Sequence, residues 1–371
     1  MRRRVPHEYT LVREQLASVE ELMAQVVRRA GVCPVFHRSL FSPRSKRLRP
    51  SLLLLAAHFG RHGSTALVPA AAGVELLHQA TLYHDDIVDE ADVRRGQPTV
   101  QRRCGSIVAS LAGSQLLFAT AEMFAGLPAS LRRAVGRAGD ALCRGQLAEL
   151  ELVGGGETGV RVRQRIMRDK TAHLFALAAR LGAELGGASE WVVHRLAGFG
   201  LRLGLVFQLA DDLSDVVASP RELGRRAGED VLHGVYTLPV LYALDGRGTS
   251  SDELRACLAE LQRCPAQALI DRALHLVAEA DGVDRGLATL ADWVALARSD
   301  LAELAGEAPP VVLDAIEGLV ALSLKGLGRT GRRIRAQRSR ALPRSAADVI
   351  GKKIARGAHQ CGVSLTEVIH V

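Results

Sequence analysis

Two short acidic runs carry the chemistry of this chain. His84-Asp-Asp-Ile-Val-Asp89 is echoed by Ala210-Asp-Asp-Leu-Ser-Asp215, each after an apolar stretch with a glutamine upstream, Gln79 and Gln208. Residues four apart on a helix share a face, with β-carbons about 5–6 Å apart. Asp85 and Asp89 therefore aim two carboxylates at one point, and Asp211 and Asp215 can do the same. One such pair is compatible with a solvated acidic face or with partners for a helix dipole. Two pairs, each set in an otherwise apolar helix, repel one another unless cations intervene. Hard oxygen ligands that leave coordination positions open suit Mg²⁺ shared with phosphate oxygens. Matching positive charge lies nearby in sequence. Lys46 and Arg49 stand at i,i+3, Arg94 and Arg95 follow the first acidic run, and Lys170 precedes Thr171. Arginines supply forked contacts and lysines point charges, so the set describes a place for diphosphates.

These residues need long helices to hold them, and the pattern supplies helices. Leu16, Val19, Leu22, Met23 and Val26 mark one amphipathic face ahead of Gly31 and Pro34. Helical stretches follow over 46–59, 68–92, 107–124, 131–152, 162–185 and 191–217, with a loop at Gly154–Gly156. Shorter helices fill 237–324, broken at 246–251, Pro265 and Pro309-Pro310. No alternating run reads as a strand. With 48% hydrophobic but only 4% aromatic residues, the composition is that of an all-α protein rich in Ala and Leu.

The N-terminus is basic without an apolar h-region, so no secretory signal is read there. The apolar run 107–127 is long enough to span a bilayer, but Ser110, Ser114, Gln115, Thr120 and Glu122 favour a buried core helix. Six cysteines form no Cys-x-x-Cys pair and point to thiols in a reducing cytoplasm. Residues 325–356 hold eleven Lys or Arg and one acid, against a net charge of +8 for the whole chain. The basic balance thus belongs to a tail, and a main domain over 1–325 precedes a tail over 326–371. That tail is read as disordered or loosely docked. It has no interleaved aromatics of the kind nucleic-acid binding favours, while peripheral contact with an anionic membrane is open to it.

Leu77 to Asp89 with Arg94-Arg-Gly-Gln-Pro98, and Phe207 to Asp215 with Gly228-Glu-Asp230 and Thr237-Leu-Pro239, resemble the paired aspartate-rich motifs of the trans-isoprenyl diphosphate synthases, the polyprenyl synthetase family. The resemblance spans roughly residues 10–325. It implies a bundle of α-helices around a deep central cavity, a homodimer, and condensation of an allylic diphosphate with isopentenyl diphosphate. By that likeness Asp85 and Asp89 bind Mg²⁺ on the allylic diphosphate, Asp211 holds a further ion, and Asp215 is a further candidate ligand. Arg94 holds the allylic diphosphate, while Lys46, Arg49, His78 and Arg95 hold isopentenyl diphosphate. Lys170, Thr171 and Gln208 sit near the bond that breaks. Small residues at Ala80 and Thr81, one turn above Asp85, imply a product longer than farnesyl, geranylgeranyl or beyond. Three positions depart from the family pattern. Arg44-Ser45 replaces a glycine pair, Arg225 replaces a lysine, and Val235 replaces a second lysine. Two rivals stay open: a class I terpene cyclase on the same fold, and a non-catalytic subunit that modulates an active partner.

Overall fold

The structure, a computed structural model, describes residues 7–29, 40–42, 45–61, 63–152, 159–217 and 227–338. It is all-α apart from one short hairpin, and it divides into two compact units.

The first unit comprises Met1–Asp140, His173–Leu201 and Asp300–Leu319. Its helices include α1 (Arg13–Arg29), α2 (Leu48–Ala56), α3 (Leu67–Val88), α4 (Val100–Cys104), α5 (Ser106–Phe124) and α8 (His173–Gly186). All nine residues of α2 are buried. This is the mark of a helix covered all round, and the Leu52–Leu55 run is what permits it. Helix α8 lies against it so closely that a β-carbon on Gly182 would stand 1.9 Å from Leu53 O. Helix α3 crosses α5 with similar intimacy, since a β-carbon on Gly113 would meet His84 Nε2 at 2.5 Å.

Helix α3 stops at Val88, four residues short of the sequence expectation. Glu90 adopts φ 48°, Glu90 N donates to Ile87 O at 3.3 Å, and Ala91 N donates to Asp86 O at 2.9 Å. That is a Schellman termination with glutamate where glycine usually stands, so no glycine or proline announced it. The chain then makes the hairpin that the sequence did not show. Strand β1 (Val93–Arg94) pairs antiparallel with β2 (Gln97–Pro98). Its two turn residues, Arg95 at φ 54° and Gly96 at φ 75°, have the positive φ values a type I′ turn requires. Thr99 closes the loop by capping α4, accepting Arg102 N at 3.1 Å and donating to Ala91 O at 2.6 Å.

The second unit comprises Ala141–Ala172, Arg202–Ser299 and Val320–Val371. Its helical content comes from α6 (Ala129–Leu150) after residue 140, α7 (Val160–Met167), α9 (Glu190–Val217) after residue 201, α10 (Glu229–Leu232), α11 (Leu238–Leu244), α12 (Thr249–Arg263), α13 (Gln267–Glu279), α14 (Gly282–Glu303) up to residue 299, and α15 (Pro310–Arg338) after residue 319. A π-helical turn, Arg168–Ala172, follows α7 directly. Glycines again set the closest packing. β-Carbons on Gly145 and Gly282 would meet Lys170 N at 2.5 Å and Pro239 O at 2.2 Å. Helix α15 carries the first residues of the basic segment in helical form to Arg338, and 339–371 lie outside the described residues.

Helix α5 is not the core helix expected for 107–127. Ile107 is 79% exposed, Leu111 66% and Phe118 78%. Helices α5 and α9 are both long and apolar enough to cross a membrane.

Two glycines of α8 and α6 give opposite expectations. Gly182→Ala forces backbone against backbone and is expected to cost about 1–3 kcal/mol. Gly136→Ala, exposed on α6 with nothing within 4 Å of the new β-carbon, is expected to gain about 0.5–1 kcal/mol by removing helix-interior glycine. Urea unfolding of the two variants measures both signs.

Candidate active site

In the first unit the site grows from one face of α3. Glu75, Gln79 and Asp86 are buried polar residues on an apolar helix, and each is spoken for. Glu75 Oε1 accepts from Arg47 Nη1 at 2.6 Å and from Gln79 Nε2 at 3.0 Å. Arg47 also donates to Leu40 O at 2.9 Å and to Glu20 Oε1 at 3.3 Å. These contacts hold Arg47 at φ 52°, a left-handed conformation a non-glycine residue adopts only under constraint. The turn so fixed starts α2 and places Arg49.

Arg49 is buried, with its guanidinium 4.4 Å from the centroid of the Phe175 ring and its Nε bonded to nothing among the described residues. Burial brings its pKa down to about 10, with Arg95 adding to the fall and Glu75 opposing it. His78 lies within the fields of Arg49, Arg95, Arg94 and Arg47. Burial first, then these four cations, hold its imidazole well below the usual histidine range. Arg47 and Arg94 are paired with carboxylates, whereas Arg49 and Arg95 make no ion pair among the described residues, so a neutral imidazole beside these two suits an anion. Arg49, His78, Arg94 and Arg95 thus lie within one another's fields, and Lys46, exposed, precedes Arg47 in the same turn.

The first acidic run is organised by Arg94, which the hairpin returns to α3. Arg94 Nε donates to Asp86 Oδ1 at 2.5 Å and Nη2 to Asp85 Oδ2 at 3.3 Å. Burial pushes the Asp86 carboxyl up, and Arg94 opposes it. Asp89 is the C-cap of α3, still helical at φ −82°, so it keeps its place one turn after Asp85. Upstream, Ala80 is fully buried, and Thr81 turns its hydroxyl to His78 O at 2.8 Å.

The second unit holds a separate network. Thr171 Oγ1 donates to Gln208 Oε1 at 2.7 Å, and Gln208 Nε2 donates to Asp212 Oδ1 at 2.8 Å. Glu149 accepts from Arg163 Nη1 at 2.6 Å and from Lys170 Nζ. Burial tends to raise the Glu149 carboxyl, but Lys170 and Arg163 together hold it below the usual range. Burial pushes Asp212 up to about 7 against the pull of Arg163, whose Nη2 stands 4.0 Å from Asp212 Oδ2. Lys170, Thr171 and Gln208 therefore belong to one connected set.

The second acidic pair does not present both carboxylates alike. Asp211 is exposed, whereas Asp215 is 3% exposed and its Oδ2 accepts from Gly228 N at 3.2 Å, just before α10. Asp215 thereby ties the chain entering α10 to α9, and Asp211 is the outward carboxylate. The glutamine echo is likewise partial. Gln208 links threonine to aspartate, while Gln79 braces Glu75. Arg225 lies outside the described residues, and Val235, half-buried, adds no charge. Sequence reasoning passed over Arg47, Glu75, Asp86, Glu149, Arg163 and Asp212. Acids inside apolar helices were the available signal for Glu75, but nothing in spacing pairs Glu149 with Arg163.

No group of three or more His, Cys, Asp or Glu side chains fit to hold a metal occurs among the described residues. Carboxylates in pairs, without softer ligands, fit a hard cation that takes its remaining oxygens from a substrate phosphate.

The polyprenyl synthetase family model matches residues 35–277. This chain belongs to that family. Its members include a nonaprenyl diphosphate synthase of Mycobacterium tuberculosis, 37% identical over 295 residues, 79% of this chain and 88% of that one. Heptaprenyl diphosphate synthase component 2 of Geobacillus stearothermophilus is 34% identical over 307 residues, 76% of this chain and 96% of that one. A solved polyprenyl synthase from Caulobacter crescentus, complexed with calcium and isoprenyl diphosphate, superposes with TM-score 0.79 at 29% identity, covering 86% of this chain and 97% of that one. The family makes this enzyme a trans-prenyltransferase, and it shares the all-α isoprenyl synthase fold.

The buried imidazole carries a pH signature. His78 resists protonation in the folded enzyme, while in the unfolded chain it titrates near 6.5. Below that value the unfolded state takes up a proton that the folded state refuses, so stability falls as pH falls. The stability advantage of the wild type over His78→Gln is expected to shrink steadily from pH 7.5 to pH 5 in ligand-free protein, measured by urea unfolding at each pH.

Proposed function

We propose that this prenyltransferase extends an allylic diphosphate with isopentenyl diphosphate, with Mg²⁺ as cofactor, to an all-trans polyprenyl diphosphate of geranylgeranyl length or longer. The observation that carries the proposal is the first-unit cluster, in which the Asp85–Asp86–Arg94 network adjoins the neutral His78 and the buried Arg49 with an unsatisfied Nε. Such a cluster distinguishes two anions. Carboxylates receive a diphosphate through a cation, and guanidiniums receive another directly.

Asp85 and Asp89 would hold Mg²⁺, and Asp211 would hold a further ion. Bound there, Mg²⁺ would supply positive charge against the leaving diphosphate. Arg94 holds that diphosphate, and Lys46, Arg49, His78 and Arg95 hold isopentenyl diphosphate. Lys170, kept in place by Glu149, and Thr171, kept by Gln208, offer a positive charge and an oxygen dipole to the breaking C–O bond. The double bond of isopentenyl diphosphate attacks the allylic carbon, and a proton passes to the departing diphosphate. Product length rests on small side chains at Ala80 and Thr81 and on relatives named for heptaprenyl and nonaprenyl products.

A second reading follows from one relative's name, component 2, which marks a protein that works with another chain. One assay separates the two. Elongation of geranyl or farnesyl diphosphate by the purified protein alone, lost with chelator and reduced at least about 100-fold in Asp85→Asn, is expected. Silence alone with activity restored by a second component supports the subunit reading. A hydrocarbon formed without isopentenyl diphosphate instead marks a cyclase.

A homodimer is the proposed assembly, with the exposed apolar face of α5 covered by a second copy. Ser106, Ser110, Gln115 and Glu122 on the exposed surface of α5 suit a protein partner better than lipid. Free Cys104, Cys143, Cys257 and Cys264 accord with a cytoplasmic setting. Phe118→Glu is expected to convert dimer to monomer in analytical ultracentrifugation, and an unchanged mass assigns the face elsewhere.

A further inference from the structure

Helix α7 has two chemically different faces. Its buried face carries Arg163, Ile166 and Met167, and Arg163 serves Glu149. Its exposed face carries Arg161, Gln164, Arg165 and, at the first residue of the π turn, Arg168, at the i, i+3, i+4 and i+7 positions. These four line an open cavity of about 360 Å³ with Leu205 of α9 and Trp293 of α14, all within the second unit. Arg168 Nε meets Asp169 Oδ1 at 3.1 Å. Arg161 and Arg165 meet no carboxylate among the described residues. Three guanidiniums on one face repel one another, and surfaces that need only solubility intersperse opposite charges. Here the concentrated charge borders a concavity with an indole and a leucine as its apolar walls. A volume of this size lies within the range of small-molecule sites.

We propose that this cavity is a second diphosphate site. The forked donors of Arg161, Arg165 and Arg168 take the diphosphate without a metal ion, and Trp293 and Leu205 take an aliphatic chain. The ligand class is an isoprenyl diphosphate, an assignment of the organic part that rests on the function proposed above. None of the six residues takes part in the catalytic set. Helix α7 runs directly into the turn carrying Lys170 and Thr171, so a ligand here lies against the element that positions both.

The chain has two tryptophans, so Trp191→Phe leaves Trp293 as the only indole. In that background, with EDTA present, emission is titrated with geranyl diphosphate, inorganic diphosphate and ADP. A saturable change with geranyl diphosphate is expected, weakened at least about tenfold by Arg161→Glu with Arg165→Glu and weaker for the other two anions. Arg161→Gln alone, an exposed and mild change, is expected to give an intermediate loss. Absence of a saturable signal, or a signal indifferent to both variants, overturns the site. Equal affinity for ADP overturns the isoprenyl assignment. Elongation by the same double variant is expected to persist. The binding titration needs no turnover, so an enzyme silent in elongation yet showing arginine-dependent binding refutes the proposed function and leaves the diphosphate site standing.

Discussion

Burying like charges is the constraint that the rest of the site obeys. A guanidinium or carboxylate removed from water is costly unless paired, yet an anion receptor needs cations that remain unneutralised. The first unit resolves the conflict with Glu75. This one carboxylate, bonded to Arg47 and steadied by Gln79, lies in the field of Arg49 and Arg95 without bonding either. It compensates enough charge to let the cluster fold and leaves enough to attract phosphate. The strained Arg47 backbone, the start of α2 and the stacking of Arg49 on Phe175 all follow from that pair.

The second unit uses the same device with different parts. Glu149 takes both Arg163 and Lys170, and Arg163 in turn faces Asp212. In both units a buried glutamate anchors an arginine no ligand has to touch. In both, the second aspartate of the acidic run, Asp86 or Asp212, is buried and raised by that burial. The two acidic runs therefore divide labour internally. Asp85 and Asp211 are more open to solvent, and the residue after each anchors it inside the protein.

Much of this was legible in the chain. The helical class, the two motifs and the gathering of Arg49, His78, Arg94 and Arg95 followed from spacing and from likeness to a family. What escaped was set by contacts between distant segments. The end of α3 at Val88 depends on a left-handed glutamate, and the hairpin places a left-handed arginine before a glycine. Residues of those types carry no sequence signal for positive φ. Asp215 matched the motif, but one oxygen of its buried carboxylate accepts from Gly228 N, a partner 13 residues on. The apolar run of α5 suggested a buried helix because composition reports hydrophobicity and not what covers it.

The π turn at Arg168–Ala172 has a consequence for the length of this stretch. Each residue of a helix rotates the next by about 100°, and a π turn accommodates one residue more than an α turn would. Arg163 and Lys170 reach the two oxygens of one carboxylate across this widened turn, and Thr171 meets Gln208 in the same phase. Removing a single residue between 164 and 169 would restore an ordinary helix and swing lysine and threonine away from their partners. The residue count of this segment works as a gear tooth that must stay in mesh.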